Sequence, residues 1–327
     1  MNKKIIPKII SISLLIVACI ACIFFARNQE QAQKYEAYYL NTIVSFTFYN
    51  NRDASLAAEC FALCDRYEKL LSRTVEGSDI WNINHAKGEW VFVDAETYAL
   101  LQAACSHCAN TDGLLDCTVA PLMDLWNFTD TATNKMPPTD EELSDRLVHV
   151  DYRYLEFKDG SVRLSDPDSA IDLGFIAKGY IGDRIKEFLV SEGVTSAIIN
   201  LGGNIITIGT KPDGSPYQIS IRNPLQASGS PEVIPVTDRC VTTSGTYERY
   251  FIYEEVSYHH ILDPSTGKPV DNGLISVTII SDDAATGDAL STACLLMGKE
   301  KGLAYIKSFE NVNAVFIEKD GTISYSN

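Results

Sequence analysis

The side chains most able to do chemistry sit in a few short stretches of the chain. Asp288-Ala-Leu-Ser-Thr292 opens an apolar run that continues to Met297. On a helix, the i, i+4 spacing places its carboxylate and hydroxyl on one face of the first turn. Both are hard oxygen donors. Mg²⁺ accepts one or two such protein oxygens and completes its octahedron with substrate phosphates and water. The same pattern also fits an ordinary capped helix start. Ala170 to Asp183 reads AIDLGFIAKGYIGD: a short apolar strand bearing Asp172, a glycine turn, then Ala177-Lys178-Gly179 opening a helix. Free N–H groups and a lysine at a helix start can hold phosphate, although a solvated lysine at such a turn is the plainer reading.

His259-His260-Ile261-Leu262-Asp263-Pro264 places two of the five histidines at the end of an aromatic strand, just before a turn. Neighbours on a strand point to opposite faces, so at most one of the pair faces a site where it moves protons near neutral pH. Thr242-Thr243-Ser244-Gly245 adds hydroxyls and a glycine shortly before that strand, consistent with a phosphate-lined loop.

These residues need a scaffold, and the composition supplies one. Of 327 residues, 46% are hydrophobic and 21% charged, enough for one large core or two modest ones. The net charge of −16 offers no basic surface for a polyanion, which removes nucleic acid from the expected partners. Lys3, Lys4 and Lys8 precede Ile9 to Ala26, a run without charge, proline or glycine at the lower edge of a membrane span. Ile16-Val17-Ala18-Cys19 also resembles a lipoprotein cleavage box. Either tether places the remainder of the chain outside the cytoplasmic membrane. The expected organisation is a signal anchor or lipoprotein signal over 1–27, a polar linker over 28–34 and one domain over 35–327.

Thr42 to Tyr49 alternates as a strand should, and a helix is expected from Ala54 to Leu71. Cys60 and Cys64 share that helix's apolar face and read as small buried groups. Cys105-Ser-His-Cys108 has the spacing of half a zinc or redox site but lies in an expected helix, Ala95 to Ala109, with no second pair to match. Pro137-Pro138-Thr139-Asp140 opens an acidic helix, and Asp151 to Leu164 supplies short strands with a turn at Asp159-Gly160. Two further strands flank Leu201-Gly202-Gly203-Asn204 as a tight hairpin.

Taken in order, these segments resemble the FAD:protein FMN transferase family, also known as the ApbE thiamine-biosynthesis lipoprotein family. The resemblance is carried by Asp112-Gly-Leu-Leu-Asp116-Cys-Thr118-Val-Ala-Pro121 with Trp126, Asp172 to Gly179, Asn200-Leu-Gly-Gly203, Thr243-Ser-Gly245, His260-Ile-Leu-Asp263 with Thr266-Gly267, and Asp288 to Thr292. It implies an α/β (α+β) domain related to the T-fold, with mixed sheets and flanking helices, an FAD site between its lobes and Mg²⁺ across the FAD pyrophosphate. By position it implies Asp288, Thr292 and the main-chain carbonyl of Phe175 as metal ligands. Leu40, Leu114, Leu115, Asp116, Asp172, Lys178 and Leu262 match positions that contact FAD, and His260 matches the functional histidine beside a structural His259. This chain departs from the family pattern at Leu40-Asn41-Thr42, where Met-Gly-Thr is common. It departs again at Thr74, aromatic in some relatives, and at Ser291, acidic in some.

The implied reaction is attack of a Thr or Ser hydroxyl on the FMN-side phosphorus of FAD, with release of AMP. Lys178 supports the phosphate oxygens, and His260 or a carboxylate it orients takes the proton. The implied acceptor is an extracytoplasmic flavoprotein of a membrane electron-transport complex. Two alternatives use the same site: an FAD pyrophosphatase with water as nucleophile, and an exported FAD-binding protein without catalysis.

Overall fold

The computed structural model describes residues 32–49, 54–129, 135–225 and 232–326. The expected anchor lies outside them. Among the described residues no helix is long and apolar enough to cross a membrane.

An eight-stranded sheet organises the fold. Strands β1 (Gln33–Tyr39) and β2 (Thr42–Phe48) form a hairpin at one edge. Next come β6 (Ser196–Leu201), β7 (Asn204–Gly209), β10 (Cys240–Gly245), β13 (Leu274–Ser281), β14 (Asn313–Glu318) and β15 (Ile323–Tyr325). Mixed sheets were the expectation, yet every pairing between neighbours in this sheet is antiparallel. The reason is topological. Each long excursion leaves the sheet and returns at the same end, so the next strand runs back alongside the last.

The excursion after β2 carries α1 (Ala54–Leu71), α2 (Asp79–His85), β3 (Val91–Phe92), α3 (Ala95–Asn110), α4 (Ala120–Trp126), α5 (Asp140–Leu147), β4 (Leu155–Lys158), β5 (Ser161–Leu164) and α6 (Ala177–Ser191). Strands β3, β5 and β4 form a small separate sheet. The α5 start follows from chemistry local to it: Thr139 and Glu142 form a reciprocal capping box, satisfying two helix-end donors. Two two-stranded ribbons, β8 (Tyr217–Ile221) with β9 (Glu232–Val236) and β11 (Tyr250–Tyr253) with β12 (Val256–His259), complete the strands. Helices α7 (Ala284–Met297) and α8 (Lys299–Ile306) connect β13 to β14.

Alternation along the strands builds a core on each face of the large sheet. Ala314 and Phe316 of β14 join α1, α6 and α7 in one cluster, while Val315 and Ile317 pack with the β8–β9 ribbon in a second. A third cluster gathers Leu122, Trp126, Leu143 and Leu262, and the Trp126 indole donates to the Gly267 carbonyl at 2.7 Å.

Most expected elements are in place, with one shift at the front. Strand β1 begins at Gln33, inside the stretch read as a linker over 28–34. Its half-buried and exposed polar residues hide the strand from a hydrophobicity reading, and an edge strand tolerates them because one side faces water. Cys60 and Cys64 are fully buried in the core, and burial pushes both thiols up to about 12. Cys117 lies beside both Cys105 and Cys108, and the described residues contain no disulfide.

Candidate functional site

Helix α7 begins at Ala284, one turn earlier than its sequence suggested. Its cap is Asp283, whose carboxylate accepts the Thr286 N–H at 2.8 Å. Asp288 is therefore not a cap; it lies a turn inside the helix and is only 3% exposed. A second carboxylate, Asp183 of α6, accepts the N–H groups of Ala284 and Ala285 at 2.8 and 2.9 Å, pinning the start of α7 to its neighbour. Burial raises the Asp183 carboxyl to about 6, against the two backbone donors that favour its ionised form.

Two glycines let these elements meet. A Cβ on Gly179 would lie 2.1 Å from the Ala284 carbonyl oxygen, and one on Gly287 would lie 2.7 Å from the Thr242 hydroxyl of β10. At this separation the Gly179 N–H donates to the Asp288 carboxylate, at 3.0 Å, rather than to the helix-type acceptor four residues back, Phe175. The Phe175 carbonyl is left without a hydrogen bond among the described residues. Asp288 likewise has no cationic partner among them. A buried carboxylate without countercharge and an orphaned carbonyl are each costly. Asp288 adjoins Gly179 through its hydrogen bond and Phe175 precedes that glycine by four residues; a carboxylate and a carbonyl are oxygen donors that could hold a hard cation. Thr292 adds a hydroxyl on the same helix face. Its oxygen lies 2.8 Å from Ser244 Oγ, which lies 2.7 Å from Ser291 Oγ.

Lys178 is in the first turn of α6, and its side chain makes no hydrogen bond or ion pair among the described residues. Its charge is felt at His260, which brings these two sequence-predicted residues into one neighbourhood. Burial, reinforced by the Arg249 guanidinium, lowers the His260 imidazole to about 3, so it is neutral at pH 7. His260 Nδ1 stands 3.3 Å from the Arg249 carbonyl. Since a carbonyl only accepts, Nδ1 carries the hydrogen and Nε2 keeps a bare lone pair. His259 is different: its Nε2 donates to the Val270 carbonyl at 3.0 Å and its Nδ1 accepts the Ile261 N–H at 3.3 Å. Both of its nitrogens are used inside the core.

The remaining predicted residues hold the frame in distinct ways. Asp172 accepts from Gly174 N–H at 2.7 Å and pairs with Arg73 Nε at 2.8 Å, while Arg73 also reaches Asp124 at 2.6 Å. Asp116 turns inward: its carboxylate accepts from the Thr118 N–H and hydroxyl and from the Tyr152 N–H at 2.6 to 2.9 Å. The Leu115 and Leu262 side chains are buried in apolar clusters, so any ligand there meets their backbone, whereas Leu114 is only partly buried. Leu40 and Asn41 form the two-residue β1–β2 turn with φ of 54° and 56°, a left-handed conformation unfavourable for leucine. Thr74 is exposed, its hydroxyl 3.1 Å from that of Ser72 in a local turn.

Three contributors carried no sequence signal of their own. Arg73, Asp124 and Asp183 act through partners far along the chain, which no local pattern reveals. Elsewhere, His149, Asp166 and Asp168 bring ligand atoms together. That group includes no predicted ligand, and it is braced internally: His149 bonds Asp166 at 2.8 Å and Lys87 pairs with Asp168 at 3.2 Å. A cavity of about 420 Å³ lined by Ile234, Val236, Ile280 and Val315 lies on the ribbon side of the sheet, away from all these residues.

The order of these parts along the chain matches the ApbE family over residues 40–316. The chain belongs to the ApbE family. It is 34% identical over 301 residues to the FAD:protein FMN transferase of Klebsiella pneumoniae, covering 91% of this chain and 93% of that one. The protein of the same name from Treponema pallidum is 32% identical, with 88% and 84% covered. Among solved structures, the ApbE protein of Thermotoga maritima superposes with a TM-score of 0.83 at 36% identity, covering 90% of this chain and 96% of that one. The flavin transferase ApbE of Vibrio cholerae gives 0.80 at 28%, with 90% and 96% covered. The mixed α/β architecture described above is thus the ApbE architecture.

Proposed function

We propose that this ApbE-family chain is an FAD:protein FMN transferase, which cleaves FAD between its phosphates and joins the FMN half to a hydroxyl side chain of another protein. The name is that of its relatives across nearly their whole length. The single observation that carries the chemistry is the buried Asp288 carboxylate, which has no cationic partner among the described residues and accepts the Gly179 N–H four residues after the unbonded Phe175 carbonyl. With the Thr292 hydroxyl these would hold Mg²⁺. Bound there, the ion supplies positive charge against the pyrophosphate as negative charge builds on it.

The chain's own groups do the rest. Lys178, unpaired in the first turn of α6, binds phosphate oxygens beside the helix N-terminus. His260 Nε2 accepts the proton of the acceptor hydroxyl. The hydroxyl oxygen then forms its bond to the FMN-side phosphorus, the P–O bond to the AMP half breaks, and AMP leaves with the bridging oxygen. Leu40, Leu114, the backbone of Leu115 and Leu262, and Asp172 complete the FAD contacts, while Asp116 shapes the 114–118 turn from within. The acceptor is an extracytoplasmic flavoprotein of a membrane electron-transport complex, and residues 1–27 tether the catalytic domain to the outer side of the cytoplasmic membrane.

Purified protein incubated with FAD and Mg²⁺ tests this directly. AMP should appear together with FMN on an acceptor fragment, one for one by mass spectrometry. AMP without acceptor labelling points to a pyrophosphatase, and neither product leaves only FAD binding.

A further inference from the structure

The hydroxyls beside Asp288 form a chain whose direction is fixed at one end. Ser291 Oγ–H donates to the Asp288 main-chain carbonyl at 2.8 Å. A carbonyl cannot donate, so the single Ser291 proton is committed there. The 2.7 Å contact between Ser244 and Ser291 then needs a proton from Ser244. With that proton spent, the 2.8 Å contact between Ser244 and Thr292 needs one from Thr292. The competing contact from Thr292 to the Asp288 carbonyl, at 3.5 Å, is too long to divert it. Ser291 is fully buried and Ser244 is 9% exposed, so water does not offer an easy substitute.

We infer that Ser244 is a positioning residue for the metal site: its oxygen accepts the hydrogen bond of the Thr292 hydroxyl and so leaves both lone pairs of the Thr292 oxygen for a cation. The inference rests on the proposed metal-binding role of Asp288 and adds a residue to it. Coordination and relay support each other, because a cation on the Thr292 oxygen makes its O–H a stronger donor to Ser244. Ser291 contributes as the acceptor that orders the chain. A neutral serine there leaves Asp288 as the only acid of the Asp288-to-Thr292 turn, suited to an ion whose remaining ligands are substrate phosphates and water.

The test is Mn²⁺ titration of the full chain followed by electron paramagnetic resonance, with FAD present and protein-free FAD as the blank. Ser244→Ala should weaken Mn²⁺ retention about 10- to 100-fold, the usual effect of losing a residue that orients a ligand. Ser244→Thr keeps the hydroxyl and should restore it. Ser291→Ala should also weaken retention, because Ser244 can then donate to Thr292 and occupy a lone pair, whereas a mere packing role predicts no change. If Ser244→Ala does not fold, the Ser291→Ala result decides. Asp288→Asn serves as the reference. Should it retain Mn²⁺ like the unaltered chain, or should that chain retain none, the metal site itself is wrong. Loss in Asp288→Asn with full retention in the serine variants overturns the role of Ser244 alone.

Discussion

Two adjacent histidines with opposite surroundings make the sharpest contrast at the scale of single residues. His259 spends both ring nitrogens on the backbone of its own fold, while His260 leaves Nε2 open near Lys178. His260→Ala should therefore abolish AMP release while FAD binding, followed by flavin fluorescence, persists. His259→Ala should instead lower the melting temperature, since it orphans the Val270 carbonyl and the Ile261 N–H in the core. Equal losses of turnover in two equally stable variants would refute this division. Acid should act through the same pair. Their folded-state values of about 3 and about 4 lie below the ordinary histidine value, so the unfolded chain binds more protons between them. Stability from this source is complete above about pH 6.5 and falls as pH drops toward 4, and His259→Gln should flatten that slope in thermal melts. Asp183, raised to about 6, works in the opposite sense: its favourable contribution is complete below the usual carboxylate value and is lost as pH rises through 6. The net acid response is the difference between them.

At the level of elements, the contact between α6 and α7 sets the site. Gly179 is required by approach rather than by turn geometry, because its absent Cβ is what allows the Ala284 carbonyl so close. Gly179→Ala forces the helices apart or strains them, at a cost on the order of 1–3 kcal/mol or more for overpacking. Separation also lengthens the bond from the Gly179 N–H to Asp288. The expected result is a lower melting temperature together with weaker Mg²⁺ activation of AMP release. A variant as stable as the parent with unchanged Mg²⁺ dependence would show that the approach is not needed. Gly182→Ala is the comparison: its Cβ would meet the flexible end of Ile206 at 2.6 Å, so it should cost stability with less effect on the metal.

For the whole molecule, the question is where this site works. The residues of the proposed site all lie within the described residues, and the first of these comes after the expected tether. A chain beginning at Asn28 should be soluble and release AMP as the full chain does, while the full chain should sediment with membranes. Lipid labelling that disappears in Cys19→Ala would identify a lipoprotein, and membrane retention without label would identify the helix. A full chain that stays in the soluble fraction would remove both. Arg73 matters at this scale because it ties the end of α1 to Asp124 in α4 and to Asp172 before α6, linking the helical excursion to the turn proposed to bind phosphate.

The sequence by itself determined what depends on near neighbours. Period-3.6 and period-2 patterns located α1 and β2, and turn chemistry located the Asp159-Gly160 and Gly202-Gly203 hairpins. Ordered motif blocks were enough to indicate the family. Tertiary structure decided the pairings that no period encodes. The bond from Gly179 to Asp288 spans 109 positions, and the Ser244 contacts to Ser291 and Thr292 span 47 and 48. Such pairs form because packed helices and strands bring particular backbone and side-chain atoms within about 3 Å, and packing distance is a property of the assembled core. The same holds for β1, whose polar residues gain their strand state from pairing with β2, and for Asp116, one of whose donors, the Tyr152 N–H, arrives from 36 positions away.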